Sequence, residues 1–362
     1  MAEKKHTRRD FLKGTAARDR LADRLEQAAD QIAESGSANA SPACFLRIER
    51  PAMGGHFEVF LNAGQYDHGT EAALAALDEV DRLEQLLSFF RATSQIGQIN
   101  QLAADGPVSV DPDVFELLQW AVGLNHETDG ALDITAGPLS EVWGFSRREG
   151  KIPDQQQLDE ALTRVGCDKL ELDAENQTVR FTVPGMQINL GAIGKGYALD
   201  RASAILMDQG IEHFMIHGGQ SSIVAQGSAL TADGRSTGWT VGVHDPTRHD
   251  RRLAEIRLFD RAIGTSGSEK QFFRYQGRRL GHVLDPRTGW PAEGLLSATV
   301  VAPTAALADG LSTALFVLGE EKGTALCDCR GDVAVLLVDT KGNHIECKHF
   351  GPERGALVSY SK

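Results

Sequence analysis

The segment from Gly264 to Thr313 constrains this chain more than any other. It holds the small serine-bearing run Gly264-Thr265-Ser266-Gly267, which reads as a turn, and then Gly281-His282-Val283-Leu284-Asp285-Pro286-Arg287-Thr288-Gly289. Ala308-Asp309-Gly310-Leu311-Ser312-Thr313 follows. A His thus precedes an Asp in a Pro/Gly turn, and an Asp/Thr pair stands four apart on an expected helix. Polar groups at these spacings suit phosphate and a hard cation better than a core. They point to an enzyme acting on a phosphorylated ligand.

The 362 residues are enough for one large domain or two ordinary ones. An apolar share of 41% and a charged share of 24% are those of a globular chain. A net charge of -13 without a Lys/Arg patch argues against nucleic acid as a partner. An anionic substrate would then need a metal or backbone N–H groups. The five cysteines, Cys44, Cys167, Cys327, Cys329 and Cys347, are scattered and odd in number, so they make no disulfide framework. Cys327-Asp328-Cys329 is too tight for a zinc knuckle and reads as structural. The His residues form no H-x-x-H or H-E-x-x-H set, which disfavours zinc hydrolysis. No run of 18 apolar residues exists, so no transmembrane helix is expected.

Residues 1–41 read as an N-terminal arm. Thr7-Arg8-Arg9-Asp10-Phe11-Leu12-Lys13 resembles a twin-arginine export motif, but the charged Arg18-Asp19-Arg20 stands where an apolar h-region belongs. Ser35–Pro42 has linker composition. The expected domain covers 42–350, with 351–362 as a tail. Strands are predicted at Phe45–Ile48 and Phe57–Leu61 around Gly54-Gly55, and a helix over 70–87 with Leu74, Leu77, Val80, Leu83 and Leu87 recurring. Further helices are expected near 113–127, 155–165, 195–209 and 304–318, the last stopped by Gly319. Strands are expected near 169–173, 178–183, 213–216, 239–243, 254–259, 271–275, 297–301 and 333–338. No regular βαβ units occur, so the class is α+β.

The run Asn189-Leu190-Gly191-Ala192-Ile193-Gly194-Lys195-Gly196 fails the phosphate-loop pattern, since Gly196 follows Lys195 where Ser or Thr is required. Its glycines still open a helix whose N–H groups could face an anion. Lys195 opposes the helix dipole there, which favours phosphate contact over a plain turn. For Asp309 and Thr313, spacing alone favours a hydroxyl bonded back to the helix beside a solvated carboxylate; a metal pair is the alternative. His282 is either a hydrogen-bonded structural residue or a general base.

Taken together these segments resemble the ApbE family of FAD:protein FMN transferases. The pieces are Ala52-Met53-Gly54-Gly55, Leu87-Ser88-Phe89-Phe90 with Ser94 and Asn100, Gly130 to Leu139 with Trp143-Gly144-Phe145, Asn189 to Asp200, His282 to Gly289 and Ala308 to Thr313, in family order. The resemblance implies an α+β, T-fold-like architecture of antiparallel sheets with flanking helices. It implies transfer of FMN from FAD to a Thr or Ser hydroxyl of a flavoprotein acceptor, with Mg²⁺ and release of AMP. It implies that Asp309, Thr313 and the Ala192 carbonyl hold the metal. Met53, Phe90, Ala131, Leu132, Asp133, Asn189, Lys195 and Val283 would line FAD, and His282 would take the hydroxyl proton. The family works mostly outside the cytoplasm, whereas the missing h-region leaves a cytoplasmic location open. Asn189 stands where the family has Asp, Gly55 where it has Thr, and Gln220 where Gly-Gly-Asp is usual. An FAD pyrophosphatase and a flavin-binding carrier are the competing readings.

Overall fold

The computed structural model describes residues 44–146, 149–231, 233–267, 272–275, 278–341, 344–350 and 356–360. The twin-arginine-like arm and its linker lie outside the described residues. The strands expected around Gly54-Gly55 are β1 (Phe45–Ala52) and β2 (Gly55–Asn62), an antiparallel hairpin with Ala52 opposite Gly55. Phe57, Val59 and Leu61 alternate onto the core, as period-two burial requires.

Helix α1 (Gly69–Leu87) buries Ala73, Leu77, Val80 and Leu83 on one stripe. Two short elements were not legible in the sequence: α2 (Gln95–Leu102), capped by Ser94, and α4 (Gly137–Val142). Between them run β3 (Val108–Ser109) and α3 (Pro112–Glu127), the latter capped by Asp111 with Pro at its first position. Helix α5 (Gln155–Leu162) follows with a capping box, and then β4 (Leu170–Asp173) and β5 (Thr178–Phe181). Helix α6 (Gly194–Asp208) starts one residue before Lys195.

The second half is strand-rich. It holds β6 (Phe214–Gly218), β7 (Ser222–Gln226), the short β8 (Ala229–Leu230) and β9 (Ser236–Thr237), β10 (Trp239–Asp245) and β11 (Arg248–Leu258). Then come β12 (Arg261–Gly267), β13 (Phe272–Tyr275), β14 (Arg278–Gly281) and β15 (Ser297–Ala302). Helix α7 (Ala305–Asp328) turns at Gly319, whose φ of 75° ends the first helical stretch where expected; a second stretch continues beyond it. Strands β16 (Ala334–Lys341), β17 (His344–Phe350) and β18 (Ala356–Tyr360) complete the chain. Residues 351–362 read as a tail, yet β18 pairs antiparallel with β11.

Residues Phe45–Ala229 and Gly238–Lys362 make one compact unit; Leu230–Thr237 belongs to a second. The main sheet runs β1-β2-β6-β7-β12-β15-β16-β17, antiparallel at each pairing, and β10-β11-β18 form a smaller sheet. One face of the main sheet packs on α1, α6 and α7. Its other face shares a second apolar cluster with the small sheet, where Ile223, Ile263, Val301 and Leu336 meet Trp239, Val243, Ile256 and Leu258. Both faces being covered, β15 is buried at each of its positions. The result is the expected α+β class, with antiparallel sheets and flanking helices.

Candidate active site

The run Gly264-Thr265-Ser266-Gly267 is not a turn but the end of central strand β12. Its small residues serve a close approach. A Cβ at Gly264 would lie 2.5 Å from the Ala308 carbonyl carbon and 2.6 Å from the Asp309 nitrogen. Gly196 does the same between helices, where a Cβ would fall 2.2 Å from the Ala305 carbonyl oxygen. These contacts seat α7 against both β12 and the start of α6. Asp200 fixes the helix start from α6: its carboxylate accepts from Ala305 N at 2.7 Å and Ala306 N at 2.8 Å. Burial pushes the Asp200 carboxyl up to about 6, against those two hydrogen bonds.

Asp309 is consequently buried, not solvated. Its Oδ2 accepts from Gly196 N at 2.9 Å and Ser222 Oγ at 2.8 Å. Burial pushes its carboxyl up to about 7, while nearby Lys195 and the two hydrogen bonds pull it down. The Thr313 hydroxyl meets Ser266 Oγ at 3.0 Å; it is Ser312 that bonds back to the helix, donating to Asp309 O at 2.9 Å. This corrects the bland reading of Asp309 and Thr313 that spacing alone favoured. The Lys195 ammonium donates to Ser221 Oγ.

A cavity of about 1100 Å³ opens here. Its walls include Phe90, Ala131, Leu132, Asp133, Asn189, Ala192, Lys195, His282, Val283, Asp309 and Thr313. Met53 is not on these walls; it sits at the β1–β2 turn with φ 49°, its N–H bonded to Glu84 Oε2 at 3.0 Å, and packs against the main core. Phe90 is 75% exposed at the rim, edge-on to Phe89.

Each wall loop is fixed locally. Asp133 Oδ1 accepts from Thr135 N at 2.7 Å, Thr135 Oγ1 at 2.6 Å and Cys167 Sγ at 3.4 Å. Burial, and then the Asp133 charge, push the Cys167 thiol up, so it stays protonated as a donor. Asn189 Oδ1 accepts from Gly191 N at 2.9 Å, so the neutral side chain still braces its loop. The Asp285–Gly289 run is the turn its residues predict: Gly289 N donates to Asp285 O at 2.8 Å, and Arg287 grips the Asp285 carboxylate. Trp143 Nε1 donates to Gly289 O at 2.7 Å and ties that turn, with His282 exposed beside it, to the buried Trp143–Phe145 cluster.

The walls also carry His217, Gln220, Ser221, Ile223, Val241–His244, Ile263, Thr265, Ser266, Gly267 and Ser297, most of which the sequence did not single out as site residues. Gln220 has φ 65°, a left-handed conformation that Asp or Asn adopts more readily. His217 Nε2 lies 3.6 Å from Glu58 Oε1, and Glu58 pairs with Arg47 at 2.6 Å. Burial holds the His217 imidazole below its ordinary range, against the Glu58 carboxylate.

A carboxylate, a hydroxyl and a backbone carbonyl are an all-oxygen donor set, which suits a hard divalent cation that keeps positions for phosphate and water. Asp309, buried and with its carboxyl raised by that burial, fits such an ion. Among the described residues no three His, Cys, Asp or Glu side chains cluster as a metal centre, so a soft-metal site of that type is not present there. Lys195 and the α6 N-terminus add positive potential beside apolar walls. The arrangement suits a ligand with both a phosphate portion and rings.

Comparison with known proteins agrees. Residues 53–337 match the ApbE family. The chain is 34% identical over 260 residues to the FAD:protein FMN transferase of Haemophilus influenzae, covering 70% of this chain and 73% of that protein. Its fold superposes on the ApbE protein of Thermotoga maritima with a TM-score of 0.75 at 31% identity, covering 84% of this chain and 96% of that one. The flavin transferase ApbE of Vibrio cholerae gives 0.72 at 28% identity, covering 85% and 97%. This chain belongs to the ApbE family.

Proposed function

We propose that the chain is a Mg²⁺-dependent FAD:protein FMN transferase. It moves the FMN half of FAD onto a Thr or Ser hydroxyl of a flavoprotein acceptor and releases AMP. The observation that supports this most is the meeting of buried Asp309 and Thr313 with Lys195 in one cavity that also carries Ala131–Asp133 and Phe90. An oxygen-donor pair and an ammonium suit a pyrophosphate, and the neighbouring apolar walls suit rings. The family's relatives that carry this activity in their names point the same way.

Asp309, Thr313 and the Ala192 carbonyl would hold Mg²⁺, which when bound neutralises the pyrophosphate and eases departure of AMP. Lys195 sets a fixed positive charge against the phosphate oxygens. Asp133, Asn189, Leu132 and Val283 orient the flavin dinucleotide, with Phe90 over the mouth. Met53 would contribute from the adjoining turn. His282 takes the proton of the acceptor hydroxyl as its oxygen bonds to the FMN phosphorus and the bond from phosphorus to the AMP oxygen breaks. His282→Ala should lower transfer far more than FAD affinity; unchanged transfer would remove it from this role.

Asn189 and Gln220, which depart from the family pattern, keep two other outcomes measurable. Incubation with FAD, Mg²⁺ and an acceptor domain separates them. Covalent flavin on the acceptor supports transfer. Free FMN with no acceptor adduct would make the chain a pyrophosphatase, and intact bound FAD a carrier.

A further inference from the structure

The cavity touches both faces of the main sheet. On β12, Gly264 and Ser266 point to α7, and Ser222 of β7 does the same through its bond to Asp309. Ile263 of β12 and Ile223 of β7 face the other way, into the cluster shared with β10. His217 shares that side, its ring 5.7 Å from Phe60. Of the residues that the family resemblance assigns to FAD or metal, Met53, Ala131, Leu132, Ala192 and Val283 pack with the core on the first face.

Two polar atoms on this second side of the cavity are buried without a hydrogen-bond partner. They are Ser297 Oγ, on a residue only 3% exposed, and His217 Nδ1. Buried polar groups in folded proteins are nearly all satisfied, so these two atoms on the cavity wall are open to partners from a ligand. Beside them, Val241, Gly242, Val243 and His244 line the same cavity. They belong to β10, the terminal strand of its sheet, and its second edge bears no strand among the described residues. A strand edge of this kind is a template for an added extended segment.

The second face also leads to the reacting end. Ser297 pairs across the ladder with Gly267, the neighbour of Ser266, whose hydroxyl touches Thr313 at 3.0 Å.

We propose that this second face is the acceptor site: an extended polypeptide segment carrying the target hydroxyl lies along β10. Its apolar side chains rest against Val241 and the exposed margin of Ile223, and its polar groups satisfy His217 Nδ1 and Ser297 Oγ. The hydroxyl is thereby delivered toward Thr313. The proposal rests on the flavin-transfer reading above. It makes acceptor choice a matter of extended local sequence, read by strand addition, and separates the acceptor's contacts from those of FAD.

The test uses the full chain and a pool of twelve-residue peptides with a fixed central Thr and randomised flanks. The pool member that the unchanged chain flavinylates fastest becomes the probe. His217→Leu and Val241→Lys are each expected to raise the KM for that peptide at least tenfold, with FAD affinity, read by flavin fluorescence, within twofold. Peptide binding should slow amide exchange across 239–245 in the unchanged protein, a readout that needs no variant to fold. Unaltered peptide KM in both variants, unprotected β10 amides, or a parallel fall in FAD affinity would overturn the proposal; the last would give this face to FAD. Transfer to an acceptor domain but to no peptide would overturn this proposal alone, whereas absence of transfer to both would overturn the flavin-transfer reading and this proposal with it.

Discussion

Gly264→Ala probes the contact that assembles the site. The added Cβ would lie 2.5 Å from the Ala308 carbonyl carbon and 2.6 Å from the Asp309 nitrogen. Carbon atoms rest comfortably at roughly 3.5–4.0 Å, so α7 must withdraw from β12 by about 1 Å. Both obstructing atoms are backbone, and no side-chain rotation relieves them. Overpacking of this kind costs about 1–3 kcal/mol. At roughly 2 °C per kcal/mol for a chain of this size, the melting temperature should fall by about 2–6 °C. The functional loss should be larger. Asp309 and Thr313 ride on the displaced turn, whereas Lys195, Asp133 and Phe90 stand on other elements. A misplacement of about 1 Å at a reacting centre slows a reaction roughly 100-fold. Flavin transfer at saturating FAD and Mg²⁺ should drop by about that factor, while FAD affinity measured without metal stays within a few fold. Transfer at the original rate with an unchanged melting temperature would show that α7 and β12 leave room for a Cβ at this position. Loss of FAD affinity as steep as the loss of transfer would refute the separation of metal-side and flavin-side walls.

The Asp200 carboxyl, raised by burial to about 6, binds its proton more tightly folded than unfolded. Stability from this group is therefore full below about pH 4 and lost as pH rises through 6, by roughly 3 kcal/mol for about two units. Asp200→Asn should flatten urea-unfolding free energies across that window, and an unaltered slope would contradict the assignment. Gln220→Asn relieves a left-handed residue and should add about 0.5–1 kcal/mol in thermal melts; a lower melting temperature would show that the Gln side chain has a packing role there. Thr135 Oγ1 donates to Asp133 and accepts from Gly166 N at 2.7 Å, so Thr135→Val should weaken FAD binding about tenfold, the equivalent of one charged hydrogen bond, and Thr135→Ser should restore it. Equal affinities in the three proteins would show that Asp133 needs no such brace.

Most of the candidate site was legible in the sequence as ordered pieces, because the chemistry-bearing residues sit in short contiguous runs. Its depth was not. Spacing places Asp309 and Thr313 on one side of a helix but cannot say that this side lies against a sheet, so burial of Asp309 had to come from the tertiary contact at Gly264. The same contact disguised β12. Gly-Thr-Ser-Gly resembles a turn, yet those residues are small because a helix backbone crosses them. Strand β7 and the short helices α2 and α4 were missed, each being too brief to establish a period. The second face left no distinct mark, since Ile223, Val241 and Ile263 alternate as any sheet-core residues would. At the C-terminus, Ala356–Tyr360 pairs with β11 across nearly a hundred residues of chain, which local pattern does not report.

In the proposed function the pyrophosphate bond of FAD is broken by an acceptor hydroxyl at the Asp309–Thr313 end of the cavity. The most direct measurement is the ratio of AMP released to flavin covalently attached, after incubation of the full chain with FAD, Mg²⁺ and an acceptor domain. One AMP is expected for each attached flavin, with both products lost together in Asp309→Ala and after chelation of the metal. AMP accompanied by free FMN in equal amount, or attached flavin that persists in Asp309→Ala, would contradict the proposed function.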